Sequence, residues 1–377
     1  MITLSEDDYE VEFSVPRVPE PENWLNVQSI TTHPDFPTDP SAPLISPFIA
    51  AAQAFGGDFP KFGEMLGSFH SFADQKWPVL ERAYGFYLKE DWPLFDRAMS
   101  ELLDGEWPEN PSMLQRYDVL HRVIAIGLLP LGPGGEYLAA KQEIWAASPA
   151  TDGFVGYCAS MDDAELAGLQ RRLFDQIRRM IGERAIWSPA LALMYLDIFK
   201  REAPSGWRLP GEDFHILRDA YQQSYELCSQ ALYLLVAAKN VEEGRDATKI
   251  CAADYSSGWV PQIDGNQKKL PKTIAQFKKL TSELKELYLE KFPVTRSVWD
   301  TFFNRRTRNA IAHADVDFVV SSGMITTGKG DELTYIDFVK STVGQLQMLI
   351  LFTDYVKLCR IYGHWRRAID ESPNQPT

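Results

Sequence analysis

From Ser46 onward, apolar residues recur at intervals of three and four, in runs closed by proline and glycine, and this periodicity commits the chain to a mainly α fold. Ser46-Pro47 reads as an N-cap with proline at the first helical position, opening Phe48 to Phe55. Further helices are expected over Val79 to Leu88, Leu94 to Leu103, Met113 to Leu129, Tyr137 to Ala147, Ala164 to Ile181 and Trp187 to Arg201. Ser160 followed by Asp163 resembles a capping signal for the fifth of these.

Ahead of the helices the pattern changes. Tyr9, Val11, Phe13 and Val15 alternate, as a short strand would, and the seven prolines from Pro16 to Pro43 forbid any long regular element. Residues 1–45 therefore read as an irregular arm with a short strand, and residues 46–205 as a helical N-terminal domain. The breaker-dense run from Ala203 to Gly211 marks a boundary.

Residues 212–370 read as a four-helix bundle with an inserted β-hairpin. Its first helix, Asp213 to Asn240, sets Tyr221, Tyr225, Cys228, Leu232 and Leu235 on one stripe, and a short turn follows from Arg245, closed by Ser256-Ser257-Gly258. The second spans Pro271 to Lys291 on Ile274, Phe277, Leu280, Leu284 and Leu287. Thr295 caps the third, which carries Trp299 and Phe302 and runs to His313. Asp315 to Val320 and Met324 to Thr327 form the hairpin around Ser321-Ser322-Gly323, and Tyr335 to Trp365 is the last helix.

Several function classes are excluded. The four cysteines, Cys158, Cys228, Cys251 and Cys359, have neither C-x-x-C nor zinc-ribbon spacing, so no metal site is expected. Gly132-Pro133-Gly134-Gly135 and Gly328-Lys329-Gly330 both lack the Gly-Lys-Ser/Thr of a phosphate-cradling loop, and no cofactor is implied. The N-terminus is acidic, and no apolar run approaches the roughly 18 residues that span a bilayer, so a cytoplasmic protein without a membrane partner is expected. The net charge of −14 opposes non-specific attraction to nucleic acid. Its distribution is uneven: residues 268–308 hold 11 basic side chains against four acidic ones, a window of +7 that leaves −21 elsewhere.

That window ends in Arg308-Asn309-Ala310-Ile311-Ala312-His313. On one continuous helix Trp299, Phe302, Arg306, Asn309 and His313 share a face, while Arg308 lies about 140° from His313. RNA cleavage by its own 2′-hydroxyl needs a group that moves a proton near neutral pH and a cation for charge gathering on the phosphoryl oxygens. Histidine and arginine suit these tasks, and the scheme requires no metal.

Arg308-Asn309-x-x-x-His313 resembles the signature of the HEPN superfamily, in which Arg, a polar residue and, after a short spacer, His stand near a helix end. The resemblance covers residues 212–370. It implies a helical bundle that dimerises to bring two Arg/His pairs into one cleft as a metal-independent endoribonuclease, and many members act as toxins or abortive-infection effectors against phage. On that reading His313 is the general base and acid, Arg308 stabilises the transition state, and Asn309 orients the histidine or the phosphate. Arg305, Arg306, Lys278 and Lys279 hold the RNA backbone, and the N-terminal domain answers to a regulatory protein or ligand. Members silenced by adenylylation carry a tyrosine two residues after the histidine, where this chain has Asp315. The same residues also suit a non-catalytic RNA-binding or dimerisation module.

Overall fold

The computed structural model describes residues 2–3, 12–13, 55–128, 131, 135–149, 151–198, 214–251, 254, 271–319 and 323–371. The proline-rich arm, the helix opened by Ser46, most of the glycine turn at 132–135, the breaker run at 203–211, Ser256-Ser257-Gly258, Lys268, Lys269, Ser321 and Ser322 lie outside the described residues. Two compact units form, Met1–Pro34 and Asp35–Thr377. In the first, β1 (Ile2–Thr3) pairs antiparallel with β2 (Glu12–Phe13), which falls within the expected strand.

The second unit is mainly α. Its first part holds α1 (Phe59–Ser71), α2 (Trp77–Leu88), α3 (Trp92–Leu102), α4 (Met113–Gly127), α5 (Gly135–Ala146), α6 (Asp152–Ser160) and α7 (Asp163–Gly182). Asp162, not Ser160, caps α7, accepting from the Ala164 N–H at 3.0 Å. The single helix expected from Trp187 is instead α8 (Arg184–Trp187), a 3₁₀ turn and α9 (Leu191–Ile198), because Pro189 in that turn has no N–H to carry an α-helical ladder through.

α10 (Phe214–Glu242) begins the later part. The second bundle helix is not continuous: α11 (Ile274–Lys278), α12 (Ser282–Glu286) and a 3₁₀ turn (Leu287–Lys291) replace it. Thr273 accepts from the Gln276 N–H at 3.3 Å and Thr281 takes the N-cap of α12, so threonines that looked like helix flank and interior restart the chain twice. The third helix also divides, into α13 (Pro293–Phe302) and α14 (Arg305–Ala312). The hairpin gains a strand: β3 (Val316–Val319), β4 (Met324–Thr327) and β5 (Glu332–Thr334) form an antiparallel meander, with Val316 opposite Thr327 and Met324 opposite Thr334.

α15 (Tyr335–Glu371) organises the unit. Every residue from Thr342 to Val356 is buried, so this stretch has no solvent face and must be packed all round. α4, α6 and α7 pack on it from one side of the sequence boundary, α10 and α13 from the other, and one apolar core runs through both parts. Most of its buried polar side chains find partners, although the Gln345 side-chain oxygen finds none among the described residues. Thr342 donates to the Phe338 carbonyl at 2.8 Å, Asp354 meets Lys141 at 2.8 Å and Lys357 at 2.6 Å, and Gln345 reaches the Phe302 carbonyl at 3.3 Å. Arg360 binds Asp163 at 2.9 Å, the Tyr87 hydroxyl at 3.0 Å and the Gln170 oxygen at 2.8 Å.

With its oxygen engaged, Gln170 offers its nitrogen to Nε2 of His121, so Nδ1 of His121 carries the proton and donates to the Tyr117 carbonyl at 3.0 Å. Burial holds His121 neutral, drawing its pKa down to about 4, with Lys357 adding to the effect. No helix of the described residues is long and apolar enough to cross a membrane.

Gly344 lets α13 approach α15: a Cβ there would stand 2.1 Å from the Phe302 ring. Alanine is the better helix former by about 1 kcal/mol, yet displacing a buried ring costs about 1–3 kcal/mol. Gly344→Ala is therefore expected to lower the unfolding free energy in a urea titration. An unchanged or raised midpoint would show that Phe302 yields without cost.

Candidate active site

The motif helix α14 is fixed at both ends. At its start the Asn304 side chain accepts from the Thr307 N–H at 3.1 Å. The Tyr221 hydroxyl, from α10, accepts from the Asn304 N–H at 3.0 Å and donates to its carbonyl at 3.2 Å. The chain is thus pinned where a longer helix was expected to continue. Upstream, the cap of α13 comes from another helix: the carboxylate of Glu143 on α5 accepts from the N–H groups of Val294 at 3.1 Å and Thr295 at 2.8 Å and from the Thr295 hydroxyl at 2.7 Å. A carboxylate there also meets the positive end of the helix dipole. Thr295 is therefore a capped residue and not the cap.

At its end, the Asp315 N–H returns to the Ala310 carbonyl at 2.8 Å and the Ala314 N–H to the Ile311 carbonyl at 3.0 Å, a Schellman closure with His313 at the C-cap. Ala314 takes the left-handed position, φ +53°, usually given to glycine. Beyond it, Gly328 lies so close to the Asp315 carboxylate that a Cβ would fall 1.9 Å from Oδ1, and Gly330, φ +81°, turns the chain between β4 and β5.

With the helix broken at Asn304, the face that was to join Trp299 and Phe302 to the polar residues does not exist. Arg308 and His313 open onto different hollows. Arg308 lines one of about 620 Å³ between α7, α10, α12 and α14, whereas exposed His313 lines one of about 500 Å³ with Arg306, Asp315 and Lys329. Arg305 and Asn309 line both. Arg308 is bound by the Glu226 carboxylate, donates to the Asn309 side-chain oxygen at 2.7 Å and lies 5.7 Å from the Tyr225 ring centre.

Most of the neighbouring cations also face carboxylates. Arg305 pairs with Glu283, Arg306 with Asp331 at 3.1 Å, and Lys278 with Glu165 at 2.5 Å while lying 4.1 Å over the Tyr233 ring. Lys279 is exposed and lines neither hollow. Among the described residues, no group of three or more His, Cys, Asp or Glu side chains is placed to hold a metal ion.

Sequence reasoning missed Glu226, Glu286 and the pocket role of Lys285. Tyr225 stood on the expected apolar stripe of α10, but nothing local marked its neighbour Glu226 as the partner of an arginine 82 positions away. Glu286 is only 8% exposed and receives the Tyr225 hydroxyl. Burial lifts its pKa to about 7, against the Tyr225 hydrogen bond and the charges of Arg296 and Arg305. The folded carboxyl thus keeps its proton up to about pH 7, while the unfolded one loses it near 4.5, and the stability present below 4.5 is lost as pH rises through 7.

Glu286→Gln removes this titration. Its stability relative to the wild type is expected to improve by up to about 3 kcal/mol between pH 5 and pH 8 in urea titrations, and a pH-independent difference would refute a neutral carboxyl. Ala314→Gly, relieving the left-handed alanine, is expected to stabilise the fold by about 0.5–1 kcal/mol, and a loss instead would mean that the backbone there is not strained. No family model, curated protein or solved structure matches this chain.

Proposed function

We propose that the chain is a metal-independent endoribonuclease of HEPN type, working as a homodimer in the cytoplasm, with toxin or anti-phage activity as its biological setting. The observation that carries this reading is the placement of Arg308, Asn309 and His313 along one short helix between two charged hollows, with Asn309 lining both. His313 takes the proton of a ribose 2′-hydroxyl as the 2′-oxygen bonds to the adjacent phosphorus. The bond to the 5′-oxygen breaks, and His313 returns the proton to that leaving oxygen. The products are a 2′,3′-cyclic phosphate and a free 5′-hydroxyl. Arg308 stabilises the charge on the phosphoryl oxygens, and Asn309 orients it through their hydrogen bond.

Arg308 and His313 of one copy diverge, so the reaction assigns a role to dimerisation: two motif helices supply the pair across a shared cleft. Lys279 and, once RNA displaces their carboxylate partners, Arg305, Arg306 and Lys278 hold the backbone, and helices α1–α9 serve regulation. One observation favours a second reading. Arg308 is already bound by Glu226, which suits a non-catalytic RNA-binding or dimerisation module equally well.

Incubating the purified chain with total RNA in EDTA separates the two. Cleavage with cyclic-phosphate ends is expected, falling about 100-fold or more in His313→Ala and Arg308→Ala. Glu226→Gln, which frees Arg308, is expected to raise the rate. Cleavage that survives both alanine substitutions would sink the enzymatic reading, and RNA binding without cleavage would establish the module.

A further inference from the structure

The hollow that Arg308 lines holds more polar groups than its own contacts satisfy. Five cations face it, Arg172, Lys278, Lys285, Arg305 and Arg308, against the carboxylates of Glu165, Glu226 and Glu283. Those three carboxylates engage Lys278, Arg308 and Arg305 respectively. Among the described residues, Arg172 and Lys285 have no carboxylate partner.

Lys285 is the telling one, because it is only 7% exposed. Its side chain is largely withdrawn from water and its ammonium, at the mouth of the hollow, has no counter-charge, and this burial lowers its pKa. A buried atom on the same wall, Nε of Arg308, makes no hydrogen bond among the described residues. Two cations without carboxylate partners and a buried donor left unsatisfied, all on one hollow, call for an anionic, hydrogen-bond-accepting occupant.

We propose that this hollow is a phosphate site, with Lys285 as the buried counter-charge and Arg172 and Arg308 closing over the bound oxygens. A volume of about 620 Å³ admits a ligand the size of a mononucleotide as well as a bare phosphate. Arg172, Glu226 and Gln230 continue into a second groove between α7 and α10, where Arg178 and Arg179 follow. They stand six and seven residues beyond Arg172, about 10 Å along the helix, on the path that further phosphates of a strand would take. The phosphate therefore belongs either to a small phosphate ester or to a single-stranded RNA.

The RNA source rests on the ribonuclease reading, whereas the site itself does not. α7 lies outside the segment that resembles the HEPN pattern, so an occupant would tie the earlier helices to Arg308 and compete with Glu226 for it.

The test uses the full chain carrying His313→Ala, so that binding is read without cleavage. Pyrophosphate and adenosine 5′-monophosphate are titrated calorimetrically, and a labelled ten-residue oligoribonucleotide by fluorescence anisotropy. Binding is expected to weaken about tenfold or more with Lys285→Met and several-fold with Arg172→Met, and to stay unchanged with Lys89→Met, an exposed lysine that lines neither groove. Without ligand, Lys285→Met is expected to raise the melting temperature, since an unpaired buried charge is removed. Lys285-dependent binding of the small ligands identifies a phosphate ester as occupant, and binding of the oligoribonucleotide alone identifies a strand. Affinity untouched by Lys285→Met, equal loss in Lys89→Met, or no binding of any probe overturns the proposal.

Discussion

Fifteen consecutive residues of α15, Thr342 to Val356, are buried, and a helix without a wet face can exist only inside other structure. That requirement joins the two parts of the long unit. Neither α4, α6 and α7 nor α10 and α13 could cover the helix alone, so each side completes the core of the other. A buried polar group on such a helix is costly unless it is partnered. This is why Arg360 binds Asp163, Tyr87 and Gln170 at once, and why His121 is held neutral beside them.

The same scaffold fixes the geometry of the motif. α13 packs on α15 through the absent side chain of Gly344, and its carbonyl at Phe302 is held by Gln345. One residue after Phe303, Tyr221 clamps both backbone groups of Asn304 and forces a new helix to begin. α14 is then too short to rotate within its bounds, with an Asn cap at one end and a Schellman closure at the other. Arg308 and His313 consequently keep the divergence that five residues of helix impose.

What the sequence disclosed follows from the range of the interactions involved. α2, α3, α4, α5 and α7, the strands β3 and β4 and the start of α15 follow the local periodicity closely, whereas α1, α6 and β5 were not singled out and the helix expected from Trp187 is divided. The breaks at Thr281 and Asn304 were not legible, because a capping residue and a helix-interior residue differ only in where the chain goes next. Thr281 sits between leucines at helical spacing, and Asn304 stands where the apolar Phe302-Phe303 gives way to a polar run, so both passed as interior. Glu226 and Glu143 act on residues 82 and 152 positions away, and no local pattern encodes such partners. Lys285 was counted as one of many cations in a basic window, where burial, the property that sets it apart, leaves no trace.

The charge balance follows from this arrangement. A chain of net −14 that gathers +7 into one window places carboxylates from outside it, Glu165, Glu226 and Asp331, on cations of the window, and Glu283 within the window takes one more. An incoming phosphate therefore meets neutralised cations, and must exchange one anion for another. Such exchange weakens the raw electrostatic pull and sharpens selection, since only a ligand that satisfies the orphaned donors as well as the charges gains by displacing a carboxylate. Lys285 and Arg172 are the exceptions that make the exchange favourable, because the charges there have no carboxylate to give up.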